Sequence, residues 1–278
     1  MHERLAAGEW TNDPYVCKRI ADPKPRSIHI ASVRDRVLYQ AVHQQLYPLF
    51  DRIFINDSYS SREGKGTHAG VKRFEIFARK VSANYTKPAF VLKCDIRKFF
   101  DGIDHVLLLT LMQKKIDDAH FLALIHCIIA SFETAKSRGL PLGNVTSQLF
   151  ANIYLDELDQ FVKHTLKARY YIRYCDDFVI LEREQDTLTR FVERIRAFLL
   201  SRLFLELHPN KVTLRKLRQG TDFLGYVSLP HYRVLRTRTK RRMFKRVNEK
   251  NLPSYLGLLK HCKGEKLRKK LGSLRELL

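Results

Sequence analysis

Tyr174-Cys175-Asp176-Asp177 sits between two apolar stretches, Tyr170 to Arg173 and Phe178 to Leu181, and its reading decides the fold. Two short β-prone runs closing on adjacent carboxylates describe a hairpin whose turn carries the acids. Adjacent negative charges repel unless a cation is close, and the usual occupant of such a turn is a divalent metal. A metal-dependent reaction is therefore the first expectation.

A second acid stands in the same relative place. Phe90-Val91-Leu92-Lys93-Cys94 reads as a buried strand, and it stops at Asp95. Turn chemistry accounts for any one of these aspartates taken singly, and that reading stays open for each. If the two strands are neighbours in one sheet, Asp95 and Asp176 face each other across a pair of metal ions. Two ions ~3.5–4 Å apart are the common solution for in-line phosphoryl transfer, and their charge keeps the carboxylates ionised.

Charge supplies the substrate class. The 278 residues carry 51 Lys and Arg against 29 Asp and Glu, a formal +22 with a sequence pI near 9.9, so a polyanion is expected and nucleic acid leads. The apolar run from Phe121 to Phe132 is broken by His126 and falls short of the ~20 residues of a membrane span. No membrane partner and no signal peptide are expected. Cys17, Cys94, Cys127, Cys175 and Cys262 form no CxxC pair, and the histidines show no zinc spacing, so a reducing compartment is expected rather than a disulfide framework or zinc site.

Outward from the acids, residues 1–26 carry Pro14, Pro23 and Pro25 and read as an irregular lead-in. Ser32 opens a helix whose apolar positions Val37, Leu38, Ala41, Val42 and Leu46 recur at helical spacing and which ends near Pro48. Residues 56–70 form a polar loop holding Arg62 and Lys65, suited either to close over phosphates or simply to sit in solvent. Residues 139–148 make a glycine turn into a helix, with Thr146 or Ser147 as N-cap, and a further helix spans 187–205. From Arg236 onward fifteen Lys and Arg face three Glu, while Leu256, Leu259, Leu267, Leu271 and Leu274 supply an apolar face. That composition describes a small helical unit with one basic side, and Lys240, Arg241, Arg242, Lys245 and Arg246 are its nucleic-acid contacts.

From about Arg34 the chain resembles the reverse transcriptases, because several motifs occur in the family's order. Asp95 through His105 is similar to the first catalytic motif, which implies that Asp95 and the Ile96 carbonyl bind metal and that Phe100 blocks a ribose 2′-hydroxyl. Tyr174 to Asp177 resembles the YxDD box, which makes Asp176 the second metal ligand with Asp177 beside it. Lys211 matches the lysine near the departing pyrophosphate, and Phe223-Leu224-Gly225-Tyr226 resembles the hairpin that grips the primer. Arg62 and Lys65 align loosely with residues that hold the triphosphate. The resemblance implies an α+β right-hand polymerase with fingers (27–90), a palm (91–228) and a helical thumb (229–278). It also implies two Mg²⁺ ions, with Mn²⁺ as an alternative, an RNA template, a primer and dNTPs.

The helix entry departs from the family. Where QGxxxSP is usual, this chain has Leu142-Gly143-Asn144-Val145-Thr146-Ser147-Gln148, so Leu142 replaces a glutamine expected at the incoming sugar and Gln148 replaces proline. Loss of a buried polar contact costs on the order of 1–3 kcal/mol, so relaxed selection of the nucleotide is expected. This form most resembles the reverse transcriptases of diversity-generating retroelements. Such a resemblance implies errors at template adenines, a small basic and pentameric accessory protein, and a bacterial or phage-infected cytoplasm. Defence-associated enzymes are the runner-up. A group II intron enzyme is expected less, because the chain ends at Leu278 without maturase or endonuclease segments. A catalytically inactive nucleic-acid scaffold is the remaining class.

Overall fold

A computed structural model describes residues 2–21 and 25–275. Its centre is an antiparallel sheet of order β4-β5-β3-β6, made of β3 (Phe90–Asp95), β4 (Tyr170–Tyr174), β5 (Asp177–Glu182) and β6 (Thr213–Lys216). Two segments more than eighty residues apart in sequence are thus adjacent, and the register sets Cys94 against Phe178 and Asp95 against Asp177. Alternation explains the pairing: Leu92 and Cys94 face one core with Phe178 and Ile180, while Val91 faces a second with Val179 and Leu181.

Helices cover both faces. One core is closed by α2 (Val33–Asp51), α5 (His105–Gln113), α6 (Ala119–Ala130), α7 (Val145–Gln160) and α8 (Gln185–Leu203), the other by α3 (Thr67–Val81). Two further short helices are α1 (His2–Ala6) and α4 (Phe99–Gly102). Ser32 caps α2 as expected, its side chain accepting from the Asp35 N–H. The helix passes Pro48 instead of stopping there, since the missing N–H removes one bond in the final turn while Leu46 and Phe50, both buried, hold that turn to the core. At α7 the N-cap is Asn144, not Thr146 or Ser147, both of which are buried inside the first turn. Its far end widens into a π-helical turn, Phe161–Thr165.

Among its described residues the lead-in carries regular secondary structure, contrary to the sequence reading. β1 (Val16–Ile20) and β2 (Arg26–Ile30) pair antiparallel, Val16 opposite Ile30, and the ladder forms although most of its side chains are exposed. Strands without a buried face carry no alternation, which is why prolines dominated that reading. Pro23 lies outside the described residues.

Beyond the palm, β7 (Thr221–Phe223), β8 (Tyr226–Leu229) and β9 (Tyr232–Leu235) form a three-stranded sheet, so the boundary expected at 228/229 falls inside β8. Then follow α9 (Thr237–Arg246), α10 (Leu252–Lys260) and α11 (Glu265–Arg275). Tyr226, Leu235, Met243, Leu252, Leu259 and Leu271 make a small core of their own with Val71 of α3, and Leu256 and Leu267 pack against it. The Leu274 side chain lies outside the described residues. No helix among the described residues is long and apolar enough to cross a membrane.

Candidate active site

The β4–β5 hairpin turns on two residues, Cys175 and Asp176, with Tyr174 paired to Asp177. Cys175 has φ +53°, in the left-handed region that residues with a Cβ seldom adopt and that this tight turn requires. The Ile96 N–H donates to the Asp176 carbonyl at 3.1 Å and ties the two acid segments together. Lys211 arrives by a separate route. The His208 N–H donates to the Asp95 carbonyl (2.8 Å), the chain turns back through Lys211 N–H to the His208 carbonyl (3.1 Å), and Lys211 Nζ reaches Asp95 Oδ1 at 2.6 Å.

These groups open onto a cavity of about 670 Å³. Asp95, Ile96, Phe100, Leu142, Gly143, Gln148, Asp176, Asp177 and Lys211 all line it, so nine sequence-predicted residues meet in one place. Burial pushes the Asp176 carboxyl up, helped by the Asp95 charge. Asp177 is pushed up to about 6 by burial, against the pull of Lys93, whose Nζ lies 3.4 Å from Asp177 Oδ2. Cys94 and Cys175 are raised to about 12 by burial, so neither thiol is a thiolate nucleophile near neutrality.

Among the described residues no three His, Cys, Asp or Glu side chains are already gathered into a metal cluster. The donor set nevertheless fits hard cations. Three carboxylates border one cavity, and Asp177 Oδ1 is buried with no hydrogen-bond partner, which is costly unless a positive centre approaches it. Asp95, Asp176 and Asp177, with the Ile96 carbonyl, are the groups that could hold divalent cations there.

Arg62 and Lys65 do not reach the cavity. Arg62 is almost wholly buried, paired through Nε to Asp51 Oδ1 at 2.6 Å and donating to the carbonyls of Ile55, Ser58 and Asp51; its guanidinium is spent on folding the loop. Lys65 Nζ donates to the Asn56 carbonyl (2.8 Å) and to Asn56 Oδ1 (2.9 Å). The loop presents Ser60 and Ser61 instead, and Ser61 Oγ donates to Gln148 Oε1 at 2.8 Å across the cavity. The cation that does come from the N-terminal half is Arg26 on β2, joined by Lys98 from the start of α4. β2 is held over the glycine turn by the His29 N–H, which donates to the Leu142 carbonyl (2.9 Å).

Primer-grip candidates Phe223 and Tyr226 are buried core residues, with Leu224 and Gly225 in the turn between them. Their hairpin borders a second groove of about 540 Å³ through Asp222 and Val227; this groove also takes in Asp95, Asp177, Lys93 and Lys211. Of the thumb cations, Arg241, Lys245 and Arg246 are exposed and Lys240 and Arg242 partly so, along α9 opposite buried Met243.

An acid-bearing antiparallel palm with helical layers and an appended helical unit is the right-hand polymerase fold. Residues 18–228 match the family profile described as reverse transcriptase (RNA-dependent DNA polymerase). The chain belongs to that family and is of the RNA-directed DNA polymerase class. It is 25% identical to Protein YkfC of Escherichia coli K12 over 86% of this chain and 71% of that one. It is 24% identical to the group II intron-encoded protein LtrA of Lactococcus lactis over 76% of this chain, which spans 45% of LtrA. Among solved structures, apo telomerase from Candida tropicalis, truncated from its C-terminal domain, superposes with a TM-score of 0.62 at 14% identity, covering 82% of this chain and 57% of that one.

Proposed function

We propose that the protein copies an RNA template into DNA at the Asp95–Asp176–Asp177 cavity, and that its selection of the incoming nucleotide is relaxed. The observation that carries the proposal is the single cavity in which the three carboxylates meet Phe100, Leu142 and Gln148. Asp95, Asp176 and Asp177 would hold Mg²⁺, or Mn²⁺, which when bound would supply the positive charge that makes the attacking hydroxyl more acidic and offsets the charge of the leaving pyrophosphate. Arg26, Lys98 and Lys211 supply the cations that orient a triphosphate. Phe100 lines the cavity and is assigned the role of excluding a ribose 2′-hydroxyl, so that deoxynucleotides are preferred. Leu142 offers an apolar wall without the amide that would test the sugar's position. Fingers (27–90) and palm are assigned as above, while the palm–thumb boundary is moved from 228/229 to the end of the β7–β9 sheet, before α9.

The source we infer is a diversity-generating retroelement, with errors concentrated at template adenines and a small basic, pentameric accessory protein as partner in the cytoplasm of a bacterial or phage-infected cell. Leu142 and Gln148 support this reading. The similarity to LtrA favours a second, a group II intron-like enzyme.

Primer extension on an RNA template with Mg²⁺ tests both levels. Asp176→Asn is expected to reduce incorporation to background, and wild-type incorporation by that variant refutes the site. Sequencing the cDNA then separates the sources: mismatches spread evenly over the four template bases overturn the retroelement reading.

A further inference from the structure

Arg173 is the bulkiest of the fully buried side chains, and the polymerase reading gives it no task. Its three guanidinium nitrogens all donate hydrogen bonds. Nε and Nη2 donate to Asp159 Oδ1 and Oδ2 of α7 at 2.8 and 2.6 Å, with both side chains wholly excluded from solvent. Nη1 donates to Asn152 Oδ1 (3.1 Å) and to the carbonyl of Cys175 (3.2 Å). Tyr171 donates its hydroxyl to Asp159 Oδ1 at 2.7 Å and completes the set.

The partners fall on both sides of the cavity. Cys175 is the left-handed turn residue directly before Asp176, so the guanidinium grips the peptide that aims the acid. Asn152 carries the grip across: its Nδ2 donates to the Ser60 carbonyl at 2.8 Å, and Ser60 and Asn152 both line the cavity. The backbone of Arg173 continues the link, its N–H donating to the Asp57 carbonyl (3.0 Å) and its carbonyl accepting from the Tyr59 N–H (2.9 Å). A buried ion pair is a poor source of net stability, since desolvation offsets the attraction, whereas a fork of fixed geometry is well suited to hold two segments in one arrangement.

We infer that Arg173 is a positioning residue of the polymerase centre: anchored on Asp159, it fixes the Cys175–Asp176 peptide and, through Asn152, the Ser60 segment that faces it. This rests on the reading of Asp95 and Asp176 as the catalytic acids. It predicts that the acid turn and the opposite wall of the nucleotide cavity lose their alignment together when the fork is lost.

The test uses Arg173→Lys, which keeps the charge beside Asp159 but has no fork, and Asn152→Ala, which cuts the link to Ser60. Steady-state incorporation on a primed RNA template is measured with hydrogen exchange of the peptide spanning 174–177, for protein confirmed as folded by circular dichroism. Arg173→Lys is expected to lower kcat at least tenfold, leave primer-template affinity within twofold, raise the half-saturating Mg²⁺ concentration several-fold, and speed exchange at the turn while the β4–β5 ladder stays protected. Asn152→Ala is expected to raise the dNTP KM several-fold. A folded Arg173→Lys protein with wild-type kcat, Mg²⁺ dependence and turn exchange overturns the inference. If Arg173→Lys does not fold, an unchanged dNTP KM and kcat in Asn152→Ala overturns it. A wild-type protein that does not extend the primer refutes the polymerase reading instead, and the exchange measurement still reports whether the fork holds the turn.

Discussion

Gly143→Ala is the substitution whose consequences the geometry fixes most closely. Gly143 has φ +113°, a conformation essentially closed to residues with a Cβ, and a strained backbone of this kind costs ~1–3 kcal/mol. The added Cβ would also lie 2.6 Å from Ile28 Cγ2, well inside contact distance, and overpacking typically costs a further ~1–3 kcal/mol. Ile28 is β-branched and sits in the β2 ladder opposite Lys18, so relief comes mainly by moving the hairpin. Arg26, two residues away on the same strand, then withdraws from the cavity. Urea unfolding should show a loss of roughly 2–6 kcal/mol, and single-nucleotide incorporation should show a dNTP KM raised to about the level of Arg26→Ala. Adding Ile28→Ala removes the clash but not the φ penalty, so the double mutant should recover about 1–3 kcal/mol relative to additivity. Wild-type stability and KM in Gly143→Ala, or strict additivity in the cycle, would refute this account of the glycine.

Two further outcomes are independent of the glycine. Asp156 is raised to about 7, by burial first and by the nearby Asp159 second, so the fold favours its neutral form. Its contribution to stability is therefore fully present below the unfolded value near 4 and is lost as pH rises through about 7. Asp156→Asn should stabilise the protein at pH 8 by roughly 2–4 kcal/mol and flatten its denaturation profile between pH 4 and 8; parallel profiles would show that the carboxyl is ionised throughout. In the thumb, replacing Lys240, Arg241 and Arg242 with Gln should weaken primer-template binding and lower the slope of log K against log salt by ~2–3, at ~0.9 per phosphate contact. Fluorescence anisotropy across a salt series measures this, and an unchanged slope removes α9 from the nucleic-acid interface.

The acids were legible in the sequence because each interrupts an apolar strand at its end, and an ionised group there has few structural uses. The helix after the glycine turn and the basic helical C-terminus were legible for the same kind of reason, a period or a charge bias sustained over many residues. Arg26 was not. Its strand has no buried face, its prolines suggest irregular chain, and it reaches the cavity only because β2 lies over Leu142, more than a hundred residues away. Arg62 and Lys65 were misread for the opposite reason: a cation in a polar loop looks available, and the partners that consume Arg62 include Asp51, on a helix eleven residues earlier.

Arg173 sharpens the point, because in the sequence it reads only as the end of an apolar stretch. A charged residue inside a strand buried on both faces is informative only once its partner is known, and Asp159 lies fourteen residues away on the far side of a π-helical turn. What the sequence encodes most securely is therefore register. β3 is paired on both sides, and a slip of one residue against β5 would send Val91 to the opposite core from Val179 and Leu181 and carry Asp95 out of line with Asp177. The apolar alternation that stabilises the sheet is thus the same information that aligns the acids, whereas the residues that aim them, Arg173, Asn152 and the hairpin bearing Arg26, depend on contacts made only after that sheet has formed.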